Sequence, residues 1–202
     1  MPPFAPFRYL ERRMTSLAHY AFTAQLPAAQ LRLHSRQTMI ALSHLIEELA
    51  IEGGPGTVLI ATFQRLSLYL RELERYRRIA PSIAETVVAG VADCATPPVE
   101  GVRVVALEPS WALVQEWVVI ARGPRCSLAL MARDAEGFDP QRRSRRFLGL
   151  WTTDPARIDA AAAAFASASG VQLPTFARDS QATVQTTLRA QRALAQQLRM
   201  RP

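Results

Sequence analysis

From residue 35 onward the chain switches between two kinds of hydrophobic spacing. Met39, Leu42, Ile46 and Leu49 recur at three- and four-residue steps, which predicts an amphipathic helix over about 35–52. Ser35 supplies an N-cap side chain, and Gly53-Gly54 end the helix. Pro55 and Gly56 turn the chain into Thr57–Phe63, an apolar run of strand length that should be buried on both faces. Helical spacing returns with Leu66, Tyr69, Leu70, Leu73, Tyr76 and Ile79, one face of a helix over about 65–80 that stops at Pro81. Glu74 and Arg78 on it are spaced for an i,i+4 pair. Strands over about 86–91 and 102–107 follow, so 57–91 reads as a strand–helix–strand crossover.

The pattern then changes. Residues 116–122 and 126–133 are strand-like and joined by Gly123-Pro124-Arg125, the signature of a hairpin. A polar loop over 134–145 leads to a strand at 147–152. Asp154 then caps a helix with Pro155 at its first position and Gly170 just past its end. After Pro174 a last helix, about 179–200, carries only Val184, Leu188, Leu194 and Leu198 as an apolar line. A core helix usually shows a stripe wider than about 100°, so this one is expected to serve a homodimer or a docked partner rather than to complete the core. Upstream, Pro2, Pro3 and Pro6 precede a short arginine-bearing helix over about 7–24, closed by Pro27. The expected organisation is an N-terminal extension (1–33), a core (34–172) and a C-terminal helix (173–202). The expected fold class is α/β, a single domain whose mixed β-sheet of five or six strands has helices packed on it, with helical extensions at both ends.

Composition narrows the reading. The 202 residues are 49% hydrophobic and 20% charged, enough for a true core and too few charges for a disordered tail. The net charge of +7 would suggest nucleic acid. All 24 basic residues are arginine, however, and the chain is rich in alanine, a bias that follows from a GC-rich genome. The charge therefore reads as compositional, and an arginine-rich nucleic-acid regulator stays an alternative. Cys94 and Cys126 lie too far apart for a CxxC pair, which leaves neither a disulfide framework nor a zinc site. No apolar run is long enough to span a membrane and no signal-peptide pattern opens the chain, so a cytoplasmic location is expected.

The chemistry-bearing positions are few. No phosphate loop, nucleophile elbow or HExxH motif is present. His44 with Glu47 and Glu48 is a compact polar cluster, and helical spacing puts His44 beside Glu48. It reads first as a half-exposed histidine held by a carboxylate, and second as an acid–base or metal site. Phe63-Gln64-Arg65 sits where a buried strand meets a helix start, the place where open α/β sheets present groups to ligands. There Gln64 can donate and accept, Arg65 can fork onto an anion, and Phe63 can form a wall. Trp117 and Trp151 lie in strands and serve either the core or a pocket. The run Arg142-Arg143-Ser144-Arg145-Arg146 reads as a solvated loop.

Four blocks in this order resemble the DICT sensory domain family. The first is Leu42-Ser43-His44-Leu45-Ile46-Glu47-Glu48; the second is Phe63-Gln64-Arg65 with Tyr69 and Arg75-Tyr76. Glu116-Trp117 forms the third, and Arg146-Phe147 with Trp151, Asp154 and Pro155 the fourth. The resemblance covers about 35–168. It implies a sensory input module associated with diguanylate cyclases and two-component systems, not an enzyme, and brings no known ligand or cofactor. The acidic end of the first helix is shorter here, reduced to Glu47-Glu48 before Leu49. With no cyclase, kinase or helix-turn-helix segment in the sequence, the expected role is a stand-alone sensor that binds a small molecule or a signalling protein and acts on a separate output protein. The candidate ligand-binding residues are Phe63, Gln64, Arg65, Tyr69, Trp117 and Trp151, with His44 and Glu48 beside them. A protein-interaction module without a small ligand is the alternative.

Overall fold

The computed structural model describes residues 31–135 and 145–199. The expected helix over 7–24 and most of the 142–146 arginine run lie outside them. Strand β1 (Arg32–Ser35) leads directly into helix α1 (Arg36–Gly53), and β2 (Val58–Arg65) into α2 (Leu66–Tyr69). A 3-10 turn at Leu70–Glu72 separates α2 from α3 (Leu73–Ile79). Next come β3 (Glu85–Val91), β4 (Val102–Leu107), β5 (Glu116–Arg122), β6 (Ser127–Asp134) and β7 (Arg146–Thr152). Helices α4 (Pro155–Ser169) and α5 (Ser180–Arg199) complete the described chain.

The strands form one mixed sheet in the order β1-β7-β6-β5-β2-β3-β4. β2, β3 and β4 are parallel; β5, β6, β7 and β1 continue the sheet antiparallel from the other edge of β2. The 57–91 crossover and the β5–β6 hairpin are as their spacing predicts. Alternation along β2 feeds two cores. Leu59 and Ala61 face α1, α2 and α3, whereas Val58 and Ile60 face α4. An element buried on both sides needs no polar alternation, which is why Thr57–Phe63 is an unbroken apolar run.

Local signals set the boundaries. The Ser35 hydroxyl accepts from Thr38 N at 3.2 Å and caps α1. Gly54, at φ 79°, ends it in a conformation that costs a residue with a Cβ. Asp154 accepts from Ala156 N, and Gly170 closes α4 in the left-handed region. Three expectations are corrected. The sheet has seven strands, because the short β1 pairs with β7 at the edge where the end of the N-terminal extension and the helix N-cap were anticipated. The single helix over 65–80 is divided by its 3-10 turn, and Glu74 pairs with Arg77 while Arg78 reaches Glu48 at 2.8 Å. Finally, α5 does pack on the core: Ala190 is fully buried in the α1 cluster, and Thr186 Oγ1 donates to Arg125 O at 2.9 Å. Two residues of its apolar line turn the other way, Val184 57% and Leu188 47% exposed.

Candidate functional site

The middle of the sheet comes apart at the C-terminal end of β2. Its ladder with β5 runs from Val58↔Arg122 to Ala61↔Val119 and stops. On the other side, Thr62 pairs with Ala89 but Arg65 with Val91, so Phe63 and Gln64 form a bulge. A bulge bends the strand and re-aims its side chains. Gly90 makes room for it: a Cβ there would lie 2.5 Å from the Phe63 carbonyl oxygen. Thr62 replaces the lost ladder, its hydroxyl donating to Glu116 O at 3.2 Å and accepting from Val118 N at 2.9 Å. Asp93, from the loop after β3, holds the start of α2 by accepting from Ser67 N at 2.9 Å and Ser67 Oγ at 2.6 Å.

The gap opens into a cavity of about 110 Å³ under α1. One face of α1 supplies Arg36, Ile40, Ser43, His44 and Glu47; the bulge supplies Phe63 and Gln64; β5 supplies Glu116, Trp117 and Val119. Leu68, Arg71, Glu72 and Tyr76 close it from the α2–α3 side, and Arg145 from the start of β7. The accessible surface of the walls is largely apolar, with polar side chains converging around it, a make-up suited to a small-molecule site.

Most of those polar groups are engaged. Glu47, 3% exposed, accepts from Arg75 Nε and from Tyr76 Oη at 3.0 Å. Arg75 also donates to His44 O and to Glu48 Oε1, both at 3.0 Å. Burial pushes the Glu47 carboxyl up against the opposing pull of Arg75, and burial together with the adjacent Glu47 charge pushes the Tyr76 phenol far up. Ser43 Oγ accepts from Trp117 Nε1 at 2.9 Å and donates to Met39 O at 2.9 Å. His44 Nε2 lies 3.5 Å from Glu72 Oε2.

Gln64 is an exception within the wall. It is 6% exposed, and its Oε1 accepts from Arg145 Nη1 at 3.0 Å. Arginine can only donate, so this bond fixes which end of the amide faces Arg145. The other end, Nε2, is buried with no acceptor. Arg145 itself is held by Asp134, at 2.8 Å from Nε and 2.7 Å from Nη2.

Of the residues singled out in the sequence, Phe63, Gln64, Trp117 and His44 therefore meet at one cavity. Arg65 is exposed at the end of β2, outside the lining. Tyr69 is fully buried behind Phe63, in a trio with Tyr76 whose ring centroids are 5.4–5.8 Å apart. Trp151 packs on the same core cluster but does not line the cavity. Glu48 is exposed and serves Arg75 and Arg78, so the expected His44–Glu48 pair is replaced by His44–Glu72. Sequence reasoning missed Arg36, Ile40, Arg71 and Arg145. The first two follow the i, i+4, i+7, i+8 spacing of Ser43 and His44, a stripe beside the apolar one; Arg145, 81 residues from Gln64, left no local signal. Among the described residues, no three His, Cys, Asp or Glu side chains are grouped to hold a metal, and no helix is long and apolar enough to cross a membrane.

The fold and the cavity define an α/β domain with a small, partly open site at the point where strand pairing changes from parallel to antiparallel. A family model described as DICT, the sensory domain in diguanylate cyclases and two-component systems, matches residues 14–135, and the chain belongs to that family. The matched span contains every lining residue except Arg145, and it begins within the segment expected to be an extension. The resemblance of the Arg146–Pro155 block falls beyond it. No curated protein and no solved structure matches the chain.

Proposed function

We propose that this chain is the ligand-sensing input domain of a bacterial signalling system, with the cavity between α1, the β2 bulge and Trp117 as its sensing site. The observation that carries this reading is Gln64, buried in the cavity wall with an amide nitrogen that finds no acceptor. Leaving a buried donor unmade costs about 1–3 kcal/mol, and a ligand that accepts from it, once the amide shifts to uncover the nitrogen, recovers that. On this reading the occupant is bound rather than transformed, in keeping with the family's description as a sensory domain. The signal passes to an output partner of the kind the family serves.

A small-molecule fragment library screened by thermal shift tests this, with wild type compared against Ala61→Leu, whose side chain grows into the cavity. At ten times Kd a ligand adds about 1.4 kcal/mol, or about 3–5 °C in Tm for a domain of this size. Hits that shift wild type and not the filled variant support the reading. Equal shifts in both, or no hits, refute it; Ile40→Phe fills the same space should Ala61→Leu fold poorly.

A further inference from the structure

We propose that the cavity is selective for a small organic anion, a single-ring or similarly compact carboxylate with an acceptor oxygen at its far end. This rests on the sensing reading above and gives that site its ligand chemistry. The argument is an inventory of what the lining still has to offer. Its buried acceptors are engaged: Glu47 by Arg75 and Tyr76, Ser43 Oγ by Trp117, Thr62 Oγ1 by Val118 N, and Gln64 Oε1 by Arg145. Glu72 faces His44, and Glu116 is engaged as well. What remains is donors. Gln64 Nε2 has no acceptor inside the wall. Arg36 and Arg71, exposed lining residues at the mouth, stand outside every ion pair among the described residues.

A cation or a donor-rich ligand would meet only the half-exposed Glu72 beside His44, whereas an anion at the mouth has two guanidiniums suited to carboxylate geometry. The space between is apolar, bounded by Ile40, Phe63, Leu68, Trp117 and Val119. At about 110 Å³ it is somewhat smaller than the ~150 Å³ engineered cavity that takes up benzene. It holds one ring and leaves the charged group outside, at Arg36 and Arg71. A bare inorganic anion would leave this apolar space unfilled, which is why the carboxylate is preferred over phosphate.

The experiment is calorimetric titration of the whole chain with four probes: benzoate, 4-hydroxybenzoate, benzamide and inorganic phosphate. Benzoate should bind about tenfold tighter than neutral benzamide, and 4-hydroxybenzoate tighter still. Arg36→Gln and Arg71→Gln should each weaken the two carboxylates several-fold and leave benzamide unchanged. Gln64→Leu should abolish the advantage of 4-hydroxybenzoate over benzoate. Benzamide binding as well as benzoate, or phosphate binding better than both, overturns the proposal, as does indifference to the arginine substitutions. Failure here is distinct from failure of the sensing reading: neutral or cationic fragments that bind wild type and not Ala61→Leu sink the anion and keep the cavity.

Discussion

Replacing Arg75 by methionine should destabilise the domain far more than an ordinary surface substitution, and the loss should depend on pH in a particular direction. Arg75 is the cation for Glu47, whose carboxylate is 3% exposed and has Tyr76 as its other hydrogen-bond partner. Breaking a buried pair by removing one member typically costs about 3–5 kcal/mol, because the remaining charge stays buried and uncompensated. The Arg75 bond to Glu48 adds little, since Glu48 is exposed, keeps Arg78, and such pairs are worth at most about 1 kcal/mol. In wild type, burial already raises the Glu47 carboxyl, and Arg75 opposes that rise; without Arg75 it rises further. A folded-state pKa above the unfolded one gives stability that is complete below the unfolded value, near ~4.3. That stability is then lost as pH increases through the folded value, by at most about 1.4 kcal/mol per pH unit for one proton. The gap between wild type and Arg75→Met should thus be widest at neutral pH and above, and narrow as pH falls toward 5. Urea unfolding of wild type, Arg75→Met, Glu47→Gln and the double variant across that range measures it. Glu47→Gln alone should cost about 1–2 kcal/mol. The double variant should be more stable than Arg75→Met at pH 7 and lack its pH dependence. A cost below 1 kcal/mol for Arg75→Met at pH 7, or a gap that ignores pH, would refute the reasoning.

Gly90→Ala should destabilise by about 1–3 kcal/mol and blunt any ligand response, because its Cβ would press on the Phe63 carbonyl that shapes the bulge; chemical denaturation together with the fragment titration reads both. Burial pushes the Cys126 thiol up to about 12, so a thiol reagent at pH 8 should modify the half-buried Cys94 in the native protein and reach Cys126 only as fast as the domain opens. On α5, Val184→Ser with Leu188→Ser should change stability by no more than about 0.5 kcal/mol, since both side chains face away from the core. Ala190→Asp, fully buried against α1, should cost about 2–4 kcal/mol, and thermal melts separate the two.

The parts of the fold that could be read from sequence are those whose cause is local. Ser35, Gly54, Asp154 and Gly170 act within a few residues of themselves, and the helix ends they predict are the ones observed. The unbroken apolar run of β2 announces burial on both faces by composition alone. β1 was illegible for the opposite reason: four residues, mostly exposed, become a strand only because β7 lies beside them. The division of the 65–80 helix has no proline or glycine behind it, and Leu66, Tyr69, Tyr76 and Ile79 still reach one core. At the cavity, the placement of Phe63-Gln64 was legible because strand ends beside a helix start are where such sheets expose side chains, while Trp117 was read only as a strand aromatic that could serve core or pocket. The bulge that turns Gln64 inward was not, since it depends on Gly90 in the neighbouring strand and on Thr62 leaving the β5 ladder. For α5 the narrow apolar line was real but misjudged. The helix docks through alanine and threonine, which count little in a hydrophobic pattern, and leaves Val184 and Leu188 outside.

A sensor needs two states that its ligand tells apart, and a ligand shifts their balance only by its difference in affinity for them. On the proposed reading, Gln64 contributes part of that difference. Its orphaned donor is worth about 1–3 kcal/mol when satisfied, which corresponds to a coupling of about 5–150-fold. That range suits a graded response better than a near-complete switch, which would require on the order of 10⁴-fold discrimination. The same amide is tied by Arg145 to Asp134, at the junction of β6 with the segment that returns to β7. A ligand that draws Gln64 toward it must either stretch that chain or carry Arg145 along. On the proposed sensing reading, the first outcome weakens binding and the second moves the β6–β7 end of the sheet, which would make the bond between Gln64 and Arg145 the link between occupancy of the cavity and the shape of the domain.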